Sequence, residues 1–173
     1  MSVQKVSLQW EVAPAASPDG APQAFIPARV PGAVQLDWAA AHGLALPEYA
    51  GNTAEYRWME DSFWLYRARI DLAPLARGES AWFVCGGVDY RFQVRLNGSL
   101  ALDQEGMFTP IEIPLDAAAA HGGLLEILVF PAPKSHQRAD DRDQANRSAK
   151  PAVSYGWDFH PRLIPLGIWQ DAW

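Results

Sequence analysis

The dipeptide Asn97-Gly98 constrains this chain more than any other feature. A type I′ turn needs positive φ at both central residues, Asn and Gly reach it at the least cost, and its twist matches that of two antiparallel strands. Phe92, Val94 and Leu96 alternate with Gln93 and Arg95 just before it, which predicts a β-hairpin closing at 97–98. Alternation is equally clean over residues 63–72, where Trp64, Tyr66, Ala68, Ile70 and Leu72 share one face and Arg67, Arg69 and Asp71 lie on the other. Ala81–Cys85 is a continuous apolar run, predicting a strand covered on both faces that meets a Gly86-Gly87 kink. Further strands are expected at 3–12, at Ile111–Leu115 and at 124–130, the last ended by Pro131. Residues 13–24, with their Pro, Ser, Asp and Gly, read as a surface loop.

Helical signal is sparse. Residues 33–42 carry Val34, Trp38 and Ala41 at i, i+4 and i+7, with Gly43 as the stop, and predict one short helix; 116–121 reads as a helical turn. Residues 43–58 form a long connection bearing aromatic side chains, and loops of that length are more often functional than idle. Strands in succession, joined by hairpins and without βαβ alternation, predict an all-β fold: an antiparallel two-sheet jelly-roll sandwich with that single helix.

At 173 residues the chain suits one domain, 1–173, able to bury a core without metal or disulfide. A net charge of −6 and a pI near 5.1 argue against nucleic acid or an anionic membrane as main partner, because both select basic surfaces. Cys85 is the only cysteine and sits in an apolar run, so it offers neither an internal disulfide nor a cysteine metal site. His42, His121, His136 and His160 are scattered without metal-ligand spacing, and no metal or other cofactor is expected. The first residues lack the pattern of a secretory signal and no apolar run reaches ~18 residues, so the expectation is a soluble, untargeted chain, cytoplasmic by default.

Near the C-terminus, Tyr155-Gly156-Trp157-Asp158-Phe159-His160-Pro161-Arg162 lodges one carboxylate among rings. An aromatic face can cover the apolar C–H patch of a pyranose while a carboxylate accepts hydrogen bonds from its hydroxyls. A buried aromatic cluster with Asp158 capping a turn accounts for the same residues. Both readings stand at this point. Residues 134–150 lead into the motif and are polar, including Asp140, Asp141 and Asp143; they read as a solvated loop, or as a lid beside a site.

Other segments carry a resemblance when taken in order. They are Val30-Pro31-Gly32 with the helix after it, Gly51-Asn52, Trp58, Trp64-x-Tyr66-Arg67, Gly87-Val88-Asp89, Val94-x-Leu96-Asn97-Gly98 and Gly106-Met107-Phe108, then Lys150, Tyr155-Gly156-Trp157-Asp158, Pro161-Arg162 and Gly167-Ile168-Trp169. Their order and spacing resemble the N-terminal sugar-binding domain of glycoside hydrolase family 2, most of all its β-mannosidase branch. The resemblance implies a galactose-binding-like jelly roll, normally followed by immunoglobulin-like domains and a catalytic (β/α)₈ barrel.

It also implies that Trp157 and Asp158 stand at the rim of the barrel pocket, with Asp158 bonding hydroxyls of the terminal sugar, a β-linked mannoside by preference. Arg162 is expected either to pair with Asp158 or to be a plain surface arginine. The family pattern usually continues Trp-Gly-Pro where this chain has Phe159-His160-Pro161, so His160 adds bulk beside the site. Retaining glycosidases need two carboxyls about 5–5.5 Å apart, and in this family both lie in a barrel of ~250 residues. No hydrolysis is therefore expected of this chain alone. The implied role is an accessory domain that works with downstream domains of the same polypeptide; an autonomous carbohydrate-binding module and a packing scaffold are the alternatives. The ending on Trp173 reads as a truncation of a longer protein.

Overall fold

The structure, a computed structural model, describes residues 3–49, 51–138 and 141–173. Asp140 lies outside the described residues. A six-stranded antiparallel sheet runs in the order β2-β1-β3-β9-β6-β7. Its members are β1 (Trp10–Ala15), β2 (Ile26–Ala28), β3 (Phe63–Asp71), β6 (Arg91–Leu96), β7 (Ser99–Glu105) and β9 (His121–Val129). Across the core lie β4 (Ala81–Cys85) paired with β8 (Ile111–Leu115), and β5 (Val88–Asp89) paired with β10 (Gly167–Ile168). Residues 171–173 extend that second layer, with Val84 and Trp173 exchanging backbone hydrogen bonds of 2.9 Å. The expected two-layer antiparallel β fold is what forms.

The hairpin closes as the turn chemistry requires. Asn97 has φ of 50° and Gly98 of 79°, with Leu96 paired to Ser99. The alternation over residues 63–71 also holds, since Trp64, Tyr66, Ala68 and Ile70 are all buried while Arg69 and Asp71 are exposed. These side chains meet Phe83, Cys85, Val88, Ile111 and Ile168 from the second layer in one core; Trp10 and Phe83 touch across it at 6.3 Å between ring centroids. Each fully buried large side chain contributes roughly 1.5–3 kcal/mol.

Several sequence expectations need correction. The first strand starts at Trp10 rather than near Val3, so its pairing takes in Ala13 and Pro14, which the turn-rich composition had assigned to a loop. Ala81–Cys85 is not covered on both faces: Trp82 is 49% exposed, because the β4–β8 ribbon has nothing over its outer side among the described residues. The helix α1 (Val34–His42) ends at Gly43 as predicted, with φ of 67°, yet it buries Val34, Gln35, Asp37 and Ala39 and leaves Ala41 exposed. The helical turn expected at 116–121 does form, as α2 (Ala117–Ala120) capped by Asp116.

The polar residues on that buried helical face have partners. Gln35 donates to the Ile164 carbonyl at 2.9 Å and accepts from the Leu166 amide at 3.3 Å, fastening α1 to the segment that follows the aromatic motif. Asp37 accepts from the Arg29 amide at 3.0 Å. Burial nevertheless pushes the Asp37 carboxyl up to about 6, against the opposing pull of that hydrogen bond and of the Arg29 charge. An acid raised in the folded state stabilises folding below its unfolded value and loses that contribution as pH climbs through the folded value. The Asp37→Asn variant is therefore expected to be more stable at pH 7 by about 1–2 kcal/mol and to lose the decline between about pH 4 and 6. Urea unfolding across that range measures it, and an unchanged pH profile would rule it out.

The described residues of 134–150 are only partly solvated. They contain a 3₁₀ helix (Arg142–Arg147) that buries Gln144 and Ala145, and they end on Lys150, whose side chain is fully buried. Lys150 Nζ donates to Asp89 Oδ2 and to the Pro165 carbonyl. One hidden cation thus ties the segment to β5, which no polar composition predicts.

Candidate functional site

The aromatic motif follows a short 3₁₀ helix (Ala152–Tyr155), and it folds back on itself. Trp157 N–H donates to the His160 carbonyl at 2.9 Å and His160 N–H donates to the Trp157 carbonyl at 3.2 Å. Asp158 and Phe159 are thus the two tip residues of a minimal hairpin. A side chain at such a tip is exposed, and both are. Trp157 is 44% exposed and Phe159 82%, so neither belongs to a buried cluster, whereas Tyr155 at the base is core.

This hairpin walls an open cleft of about 540 Å³. Asp158, Trp157, His160 and Arg162 all line it, so the structure gathers the four residues singled out from sequence. Arg57, Asp141 and Arg142 complete the wall from two other segments. Arg57 belongs to a ten-residue 3₁₀ helix (Asn52–Asp61) that overlaps the end of the long connection over residues 43–58. Arg142 lays its guanidinium over the Trp157 ring at 4.0 Å from the centroid, a cation–π contact that covers one face of the indole. Sequence reading missed Arg142, because a lone arginine in a polar stretch carries no signal of its eventual neighbour.

Arg162 departs from expectation. It is buried rather than a surface residue, and its ion pair is with Glu60, not Asp158: Nη2 to Oε1 at 2.6 Å, with Nε to both carboxylate oxygens at 3.1 and 3.2 Å. The reason is position. Arg162 lies two residues past the hairpin and points back into the core side, where Glu60 is itself 6% exposed and needs a cation. His160 is partly buried, and its Nδ1 is enclosed without a hydrogen-bond partner.

Beneath the site, Tyr155 donates its hydroxyl to the Pro133 carbonyl at 2.6 Å. Burial is the main cause that pushes this phenol up to about 12, so it remains a donor across ordinary pH. Ser154, six residues before His160 in sequence, is buried. Of the other three histidines, His42 stacks on Trp38 at 3.8 Å, His121 bonds the Leu72 carbonyl, and His136 Nε2 lies 3.7 Å from Asp141 Oδ2. Among the described residues no three His, Cys, Asp or Glu side chains gather as metal ligands. The cleft therefore offers one exposed ring, one free-standing carboxylate and several cations, an arrangement suited to orienting a polyhydroxylated ligand by hydrogen bonds.

Comparison with known proteins bears on the fold and the family. A family profile described as a glycosyl hydrolase 2 galactose-binding domain-like region matches residues 10–170. Beta-mannosidase B of Aspergillus flavus is 28% identical over 171 residues, covering 90% of this chain and 20% of that protein. The Emericella nidulans protein of the same name is 29% identical over 173 residues, again covering 90% of this chain and 20% of its own length. The chain thus spans about a fifth of the curated relatives it matches. Among solved structures, a beta-D-mannosidase from Dictyoglomus thermophilum superposes with a TM-score of 0.83 at 24% identity, over 99% of this chain and 22% of that one. That likeness establishes the fold.

Proposed function

Because the chain belongs to the galactose-binding domain-like family of glycosyl hydrolase 2, we propose that it is the accessory N-terminal domain of a β-mannosidase-type glycoside hydrolase. In this reading Trp157 and Asp158 orient the terminal sugar, a β-mannoside by preference, at a catalytic pocket formed by further domains. The observation that carries it is the hairpin: an exposed indole and an exposed carboxylate on successive residues at an open cleft. Small-ligand sites bury some 70–90% of their ligand, and an open cleft with one wall falls short of that. A second wall is needed. The Asp158 carboxylate accepts hydrogen bonds from ring hydroxyls, Trp157 packs its uncovered face on the sugar's C–H patch, and the glutamate pair for hydrolysis comes from elsewhere.

Two measurements test this. Calorimetric titration of the purified chain with mannose, galactose and manno-oligosaccharides is expected to show at most weak binding. Micromolar affinity would instead favour an autonomous carbohydrate-binding module, a reading to which the 82% exposure of Phe159 lends weight. In the multidomain enzyme, Asp158→Ala is expected to lower kcat/KM for an aryl β-mannoside by about 10- to 100-fold, the loss of one or two charge-assisted hydrogen bonds. Unchanged turnover would leave only a packing role.

A further inference from the structure

The hairpin that bears Trp157 and Asp158 is closed at its base by Arg162, which also lines the cleft. Arg162 Nη1 donates to the Tyr155 carbonyl at 3.2 Å, so the two legs of the excursion, residues 155 and 162, are tied together. The same guanidinium is gripped by Glu60 through three contacts of 2.6–3.2 Å. Lys134 Nζ reaches Glu60 Oε1 at 2.7 Å and Asp61 Oδ1 at 2.6 Å, so two carboxylates face two cations. Glu60 is tied to that segment through its backbone as well, its carbonyl accepting from the Ala132 amide at 2.8 Å. Three chain segments meet on one carboxylate whose removal would leave a buried arginine without its counter-charge.

We propose that Glu60 is a positioning residue of the cleft: it orients Arg162, Arg162 locks the base of the hairpin, and the locked base sets where Trp157 and Asp158 stand. The proposal rests on the reading that these two residues contact sugar, but its core claim concerns geometry and can be measured without sugar. Bidentate guanidinium–carboxylate pairing fixes direction as well as distance, which a lysine or a lone hydrogen bond would not. Anchoring by a buried network lets a short exposed hairpin hold Trp157 and Asp158 at fixed coordinates.

The test uses this chain labelled with ¹⁵N at tryptophan, where Trp157→Phe identifies the Trp157 indole signal, together with amide hydrogen exchange over residues 156–163. Glu60→Gln is expected to shift that signal and to speed exchange of the segment by about tenfold or more, with β3 and β9 still protected. The double variant Glu60→Gln with Arg162→Met removes the stranded cation and should regain most of the lost stability. Its Trp157 signal and its exchange are nevertheless expected to stay altered, because the Arg162 link between the two legs is gone and only backbone bonds, such as that from the Leu163 amide to the Ser154 carbonyl, remain. Return of both to the parental values in the stable double variant would overturn the proposal and leave the cluster a stability element. So would an unaltered Trp157 signal in folded Glu60→Gln, and if Glu60→Gln does not fold, the double variant decides. The sugar reading is judged separately by Asp158→Ala in the multidomain enzyme, where the Glu60 variants should lower kcat/KM in the same direction.

Discussion

Lys150→Met is expected to destabilise the domain by about 3–5 kcal/mol, the usual cost of breaking a buried ion pair from one side. The Lys150 side chain is fully buried and that of Asp89 is 5% exposed. Removal of the ammonium strips Asp89 Oδ2 of its partner beside an Oδ1 that already has none, and the Pro165 carbonyl loses its donor too. Burial pushes Asp89 up and Lys150 down, and each group's charge works against the other's shift. With the lysine gone, only the upward push on Asp89 remains. A carboxyl raised in the folded state costs stability above its folded value and ceases to do so as pH falls. The deficit of Lys150→Met should therefore shrink on acidification, whereas that of the double variant with Asp89→Asn should be small and independent of pH. Denaturant unfolding of the three proteins at neutral and acidic pH gives the answer. A neutral-pH loss under about 1 kcal/mol would show that the pair does not hold residues 134–150 against β5.

The second large effect concerns Gly167→Ala, in the Gly167-Ile168-Trp169 segment that pairs with β5. Gly167 has φ of 137°, and a Cβ there would stand 2.6 Å from the Tyr66 hydroxyl and 3.3 Å from Ala33 Cα. Tyr66 is fully buried at the middle of β3 and has no room to yield. Backbone strain and the clash together are expected to cost roughly 3 kcal/mol. The two causes separate in a Tyr66→Phe background, where the absent hydroxyl relieves the clash but not the strain. A double-mutant cycle should then show coupling of about 1 kcal/mol or more. Equal costs in both backgrounds would assign the whole effect to φ. The same close approach explains why a glycine stands in this segment, a fact the sequence motif displays without its reason.

The hairpin tip and the four cleft residues were legible in the sequence in different senses. Aromatic composition around Asp158 and its place among family-like segments pointed to Trp157, Asp158, His160 and Arg162, and all four line one cleft. Their division of labour was not legible. The sequence reading has Arg162 either pairing with Asp158 or lying on the surface, but Glu60, 102 residues away, holds it instead. Lys150 likewise sits in a run of polar residues whose composition speaks for solvent, yet it finds Asp89, 61 residues off, in the core. Each of these charges took the partner that lay buried nearest in space.

By itself the sequence determined what depends on neighbours along the chain. Period-two burial in β3, the turn at Asn97-Gly98 and the helix stop at Gly43 all follow from side-chain direction and φ preference over a few residues. The order of those elements along the chain, read with the motif segments, was enough to place it in its family. Tertiary structure alone decided which face of β4 meets solvent, where Arg142 and Glu60 come to lie, and which carboxylate each buried cation answers. Burial is a property of what lies opposite, and an ion pair is a property of two groups desolvated together. Neither has a period or a signature along the chain until the two layers close.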